Sequence, residues 1–400
     1  MWPNRLRISK AADAVIQASL VGFAGSLPVS IAFTQISLGV GIIAWAVKAL
    51  AQRPLLKTST PLDKAFLAFF AACLLSTIFS AQPWDSLLGM KKFYLVLVVY
   101  WVGFNIRGES RREQLTLLFV AMTALTSLYG AVMYRWGMQG RLLGTQTMAM
   151  TSGGIMIMAI LLWMPSLCTI SGRWLKQGNW LIGLLLAVGI ILNKTISAWA
   201  GMIGGLAVYF MRKKAATMIL AALVILGLSL SAALPHLKGG FFDYSKLDSW
   251  QARMTMWGNG WKIIKKNPIL GTGLIDLGEH YQRERSTADI QLHGNNRRVG
   301  HLHNNFIHIT AITGFVGLAA FCFLWLAIIA FQTQLARYAP SGLRNRRMSY
   351  LAVTSAFLIN GLAEWNFGDS EVVTVLWFAL GLALSRSEEH TSELQSPNTI

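Results

Sequence analysis

Two side chains in the stretch 250–318 are of types that move protons and hold phosphates. His303 stands where a polar segment gives way to an apolar run, at the start of a candidate membrane helix. A neutral imidazole at such a boundary suits a general base that takes a proton from a hydroxyl. The competing reading is an interfacial histidine that only hydrogen-bonds backbone. Arg253 shares a helical stripe with Trp250 and Trp257. Flanking indoles hold a guanidinium by stacking, and a pinned, permanently charged fork suits a diphosphate. The competing reading is a solvated arginine on a loop helix.

Other constellations carry less. His301, His303 and His308 resemble a ligand cluster, but positions 303 and 308 point about 140° apart on a helix and no carboxylate adjoins them. Asp369-Ser370-Glu371 is an acid-x-acid pair of the kind that holds a divalent ion, yet capping of the following span, with Glu364 nearby, explains it better. No metal site is therefore expected. Gly271-Thr272-Gly273 lacks the downstream Lys-Ser/Thr of a nucleotide loop and follows no strand, so no nucleotide cofactor is implied. Cys73, Cys168 and Cys322 are far apart in apolar surroundings and pair with nothing.

The elements that must position these groups are membrane helices. Hydrophobic residues make up 54% of the 400, and charged ones only 13% against roughly 25% in soluble domains. That excludes an ordinary soluble enzyme. Apolar runs fall near 12–30, 34–51, 64–80, 88–105, 114–133, 147–167, 178–193, 196–211, 215–234, 304–331, 349–363 and 371–385, about twelve spans of an all-α integral membrane protein. The first is interrupted by Pro28 and shows no cleavage site, so it reads as a retained span.

The net charge of +18 divides across the bilayer. With both ends of the chain inside, 20 of the 35 basic residues fall in cytoplasmic segments, and ten of the rest sit in one long outer segment, 235–303. This division across two faces speaks against nucleic acid. The outer segment holds His236, His280, His293, His301 and His303. Within it, 246–266 reads as an amphipathic helix with Trp250, Arg253, Trp257, Trp261 and Ile264 on one face, started by Asp243 or Ser245 and stopped by Asn267-Pro268. A Trp-rich face outside the membrane points to a helix at the interface or over a membrane cavity. The polytopic domain is expected to cover 1–386. The polar stretch 387–400 reads as a disordered or appended tail.

These residues together resemble a known family. Arg253-x-x-x-Trp257, Asn267-Pro268-Ile269-Leu270-Gly271-Thr272-Gly273, and His303-Asn304 followed after nine residues by Gly314-x-x-Gly317 are similar to the motifs of bacterial O-antigen ligases. Weaker echoes are Arg141-Leu142-Leu143-Gly144-Thr145 and Glu364-Trp365-Asn366-Phe367-Gly368-Asp369. The resemblance implies a GT-C-like glycosyltransferase of the bacterial inner membrane, its active site facing the periplasm. The implied reaction is an inverting, metal-independent transfer of a glycan from undecaprenyl diphosphate to a sugar hydroxyl of the lipid A core, with membrane lipids as surroundings. His303 would activate the acceptor hydroxyl and Arg253 would bind the donor diphosphate, supported by Asn304, Gly314, Gly317 and Trp257. A polysaccharide polymerase or a protein O-oligosaccharyltransferase of the same superfamily stays open, as does a transporter of lipid-linked glycan. The chain departs from the pattern at Leu318, usually Thr or Val. It departs again at Thr195-Ile196-Ser197-Ala198-Trp199, where Ile196 replaces the usual arginine. Lys194, with Arg135 and Arg141, would supply the missing charge.

Overall fold

The computed structural model describes residues 2–52, 59–138, 140–170, 172–211, 245–294 and 298–385. No strand occurs among the described residues. The hairpin of α1 (Trp2–Ser26) and α2 (Ile31–Ala51) is followed by α3 (Asp63–Ile78). A composite span comes next: α4 (Pro83–Gly89), a 3-10 stretch (Met90–Val96) and α5 (Leu97–Asn105). Then come α6 (Glu109–Arg135), α7 (Ala149–Trp163), the short α8 (Ser166–Thr169), α9 (Arg173–Asn193) and α10 (Ile196–Phe210). Residues 245–294 contribute α11 (Ser245–Lys266), α12 (Gly278–Glu284) and α13 (Thr287–His293). The fold closes with α14 (Asn305–Arg337), α15 (Ser341–Asn360) and α16 (Ser370–Leu384).

Six of these helical stretches are long and apolar enough to cross a membrane: 31–51, 83–105, 109–135, 149–169, 173–193 and 305–337. Two shorter apolar helices, 196–210 and 370–384, join them. The protein is thus a multi-pass helical membrane protein. The expected first span starts earlier than its apolar run, because the polar residues from Trp2 onward continue the same helix. The expected span 215–234, the cap at Asp243 and the tail 387–400 lie outside the described residues.

Close backbone contact sets how α10 meets α15. A Cβ on Gly201 would stand 2.7 Å from the Ala356 carbonyl oxygen, and one on Gly205 3.0 Å from that of Ala352. Glycines four apart let two helices approach at backbone distance. That contact carries the N-terminal turn of α10 to the loop after α15. At the far ends of the helices, Arg112 donates to Ser385, and Arg346 and Arg347 pair with Glu109, tying α6, α15 and the end of α16.

Hydropathy reads 304–331 as one uninterrupted span, but α14 is broken. Gly314 has φ 65° and ψ −170°, a conformation closed to side chains with a Cβ. The turn 267–273 docks on the break. Phe315 N donates to Pro268 O (2.8 Å) and Val316 N to Ile269 O (3.2 Å), while Thr272 N donates to Ala311 O (3.0 Å) and Gly273 N to Ile312 O (3.0 Å). The two glycine-bearing motifs are therefore one joint. The nine residues between Asn304 and Gly314 are the helical segment running from this joint to His303. Beyond the break, 315–337 spans about 34 Å at 1.5 Å per residue, enough to cross a bilayer unaided.

Candidate functional site

Three distant segments converge on Glu364, in the loop between α15 and α16. Its Oε2 lies 3.0 Å from His303 Nδ1. Its Oε1 accepts from Arg253 Nη2 at 2.5 Å and from Ser197 Oγ at 3.2 Å. The carboxylate is only 6% exposed and the arginine side chain 12%. Each partner comes from a different element: Arg253 from α11, His303 from the residue pair before α14, Ser197 from the first turn of α10.

Amide side chains lock this convergence. Asn304 caps α14, accepting from Phe306 N (2.9 Å) and Ile307 N (3.0 Å), and donates to Leu362 O (2.7 Å). Asn305 N donates to Gly361 O (2.8 Å), and its Nδ2 donates to Asn366 Oδ1 (2.6 Å). Asn366 Nδ2 donates to Phe357 O (2.8 Å). Neighbouring asparagines thus fasten the loop 361–367 to the start of α14, which fixes Glu364 against His303. The backbone of His303 is left-handed, with φ 46°. That turn is uncommon for a residue with a Cβ and is held by the fastened neighbours.

The geometry assigns work to each ring nitrogen. A carboxylate at Nδ1 favours the tautomer with hydrogen on Nδ1, which leaves the Nε2 lone pair as the basic atom. Trp257 steadies the approach by donating from Nε1 to Leu302 O (2.9 Å). The indoles of Trp250 and Trp257 meet each other edge to face at 5.5 Å, while the Arg253 guanidinium is held by Glu364. The pinning expected of the indoles is thus supplied by the carboxylate.

Of the remaining expected cations, Arg141 reaches the site. Its Nε donates to Asn193 O (3.0 Å) and its Nη2 to Thr195 Oγ1 (2.6 Å). Burial pushes its guanidinium below the ordinary range, the nearby Glu364 opposes that fall, and Arg253 adds to it. Lys194 is the left-handed cap of α9, and its ammonium turns to Tyr134, 3.2 Å from the hydroxyl. Thr195 and Ser197 are buried, whereas the Ile196 side chain is 45% exposed. At the position of the expected arginine, the side chain is therefore more exposed than its neighbours, and Ser197 rather than residue 196 bonds Glu364. Arg141 instead lays a guanidinium across the same 193–195 turn.

A cavity of about 790 Å³ opens beside this group, within the usual range for small-molecule sites. His301, His303, Glu364 and Lys92 supply polar lining, and Trp365 and Phe367 aromatic lining. The His301 and His303 rings are 4.5 Å apart. Burial, then His303, hold the His301 imidazole below its ordinary range. His308 instead packs its ring on Trp365 at 4.0 Å. Asp369 caps α16, accepting from Glu371 N (3.1 Å) and Val372 N (3.2 Å), and takes a hydrogen bond from Thr151 (2.5 Å). No cluster of three or more metal-ligating side chains occurs among the described residues.

Glu364 and Ser197 are the site residues that spacing does not reveal. Glu364 is 61 residues from His303 and 111 from Arg253, so no local pattern joins them. The available signals were indirect: a rare acid in a strongly basic chain, and the faint echo in 364–369.

Residues 181–322 match the family model described as O-antigen ligase. That stretch contains Arg253, the 267–273 turn, His303 and the Gly314 break, and stops short of Glu364. No curated protein matches the chain.

Proposed function

Because the chain belongs to the O-antigen ligase family, we propose that it transfers a glycan from undecaprenyl diphosphate to a sugar hydroxyl of lipid A-core. The single observation that carries this reading is the junction of His303, Glu364 and Arg253 beside the cavity. A base held by a carboxylate and a cation held by the same carboxylate are the two groups such a transfer needs, side by side.

His303 Nε2 takes the proton of the acceptor hydroxyl as that oxygen bonds to the anomeric carbon. The bond from the anomeric carbon to the diphosphate breaks with inversion, and the lipid diphosphate leaves with the electron pair. Arg253 has donors beyond the one engaged by Glu364, and together with Arg141 it stabilises the charge developing on the leaving group. Lys194, turned toward Tyr134, serves at most as an outer guide for the donor. No cofactor or metal takes part. In this reading about twelve spans form a GT-C-like fold in the bacterial inner membrane, with the site in the periplasmic segment 235–303 and the loop at Glu364.

The test is reconstitution in proteoliposomes with an undecaprenyl-diphosphate glycan and, separately, lipid A-core, a free glycan chain and a protein as acceptors. Transfer to lipid A-core that persists with a chelator and disappears in His303→Ala is the expected result. Transfer only to glycan or only to protein would overturn the acceptor assignment, and full activity of a folded His303→Ala variant would remove the base.

A further inference from the structure

The outer helix α11 has three faces rather than two. Ala252, Met256, Asn259, Ile263 and Ile264 are buried against the protein. Gln251, Lys262, Lys265 and Lys266 are exposed and polar. Between these lies a third stripe, Trp250, Met254, Trp257 and Trp261, recurring at i, i+4, i+7 and i+11. Trp250, Met254 and Trp261 are about half exposed, although large and apolar.

We propose that this stripe rests on the outer leaflet of the membrane, making α11 an interfacial helix with the lipid surface as its partner. Continuity with the span below carries the inference. Trp261 meets Phe315 edge to face at 6.4 Å. Phe315 and the neighbouring Val316 are exposed and are the first residues of α14 after its break, where the unaided span begins. Ile269, on the docking turn between them, is 67% exposed. The exposed apolar surface therefore runs without interruption from the span onto α11. The lysines lie on the water-facing side, where Lys262 and Lys266 engage Glu284 of α12. Indoles prefer this depth because their rings are apolar and their N–H groups need a polar partner. Arg253 projects from the boundary between the Trp stripe and the buried face, so its guanidinium lies at headgroup height. On the function proposed above, that is the height at which a lipid-linked diphosphate presents itself.

The test measures depth rather than transfer, so its failure is separable from failure of the proposed reaction. Spin labels are placed at Met254→Cys on the stripe and Gln251→Cys on the polar face, each in a Cys168→Ser, Cys322→Ser background in lipid nanodiscs, with Cys73 left because it is buried. The expected result is a ratio of oxygen to nickel-chelate collisions several-fold higher at 254 than at 251. Equal nickel accessibility at the two positions would overturn the proposal.

Discussion

Glu364→Gln separates the electrostatic role of the carboxylate from its packing. The amide has nearly the same shape, so the loop held by Asn304, Asn305 and Asn366 is expected to stay in place. Two things change. Arg253 loses its counter-charge in a largely buried pair, at 12% and 6% exposure. His303 loses the acceptor that orders its tautomer. A glutamine presents either an oxygen or an NH2 to Nδ1, and the NH2 orientation moves the ring hydrogen to Nε2, the atom meant to be basic. In hydrolase triads the equivalent acid-to-amide change behind a histidine lowers turnover about 10⁴-fold. Here Arg253 and Ser197 both donate to Oε1, so the amide oxygen is held on their side and its NH2 faces His303 Nδ1. A fall in kcat of about 10²–10⁴-fold is expected, roughly 3–5 kcal/mol at about 1.4 kcal/mol per decade. Donor KM should move much less, since the guanidinium remains. The assay is single-turnover transfer in proteoliposomes with a labelled lipid-diphosphate glycan, alongside a thermal melt to show that the variant folds. A folded Gln variant within fivefold of wild type would refute the reasoning (about 1 kcal/mol, less than one ordinary hydrogen bond to a charged group).

The joint at the α14 break is open to a stability test. Gly314→Ala should cost about 3 kcal/mol or more, because its φ of 65° is strained for alanine and the new Cβ would sit 2.1 Å from Ile269 O. Gly342→Ala, in open space on α15, should be neutral or stabilising by about 0.5–1 kcal/mol in the same melt. Arg141→Ala should raise donor KM by about tenfold or more, as expected for loss of a charge-assisted contact, and Lys194→Ala by clearly less; the reverse order, measured by donor titration, would transfer the phosphate role to Lys194. Ile196→Arg should change wild-type activity little but restore part of the loss in Arg141→Ala, and no restoration would place Ile196 beyond reach of the donor.

Local pattern made much of this molecule readable. Runs of apolar residues near 20 long announced the helices, and Asn267-Pro268 announced the end of α11, because both signals act over a few residues. The capping role weighed for Asp369 is likewise a three-residue interaction. Contacts between segments were a different matter. The indoles at helical spacing point to a stacked Arg253, whereas its strongest partner is a carboxylate brought in by the α10–α15 and α14 packing. The break in α14 was hidden for a related reason. Hydropathy averages over side chains, and a backbone dihedral at one glycine leaves that average unchanged. In the linear motif Ile196 stands for a lost charge, but the surrounding turn keeps a guanidinium by drawing Arg141 from another loop, a compensation that such a motif does not record.

The segment between Asn304 and Gly314 also works as a ruler. Both ends are fixed, one by the docked turn 267–273 and the other by the asparagine clamp around Glu364. A helix is not continuously adjustable: one residue more or fewer shifts the end by about 1.5 Å and turns it by about 100°. Such a change would swing His303 off Glu364 altogether rather than weaken the contact by degrees. The distance from anchor to imidazole is therefore quantised, and a shortened or lengthened segment has no nearby compromise to settle into. Substitutions within those nine residues tune how firmly the base is held; only an insertion or deletion decides whether it is in register at all.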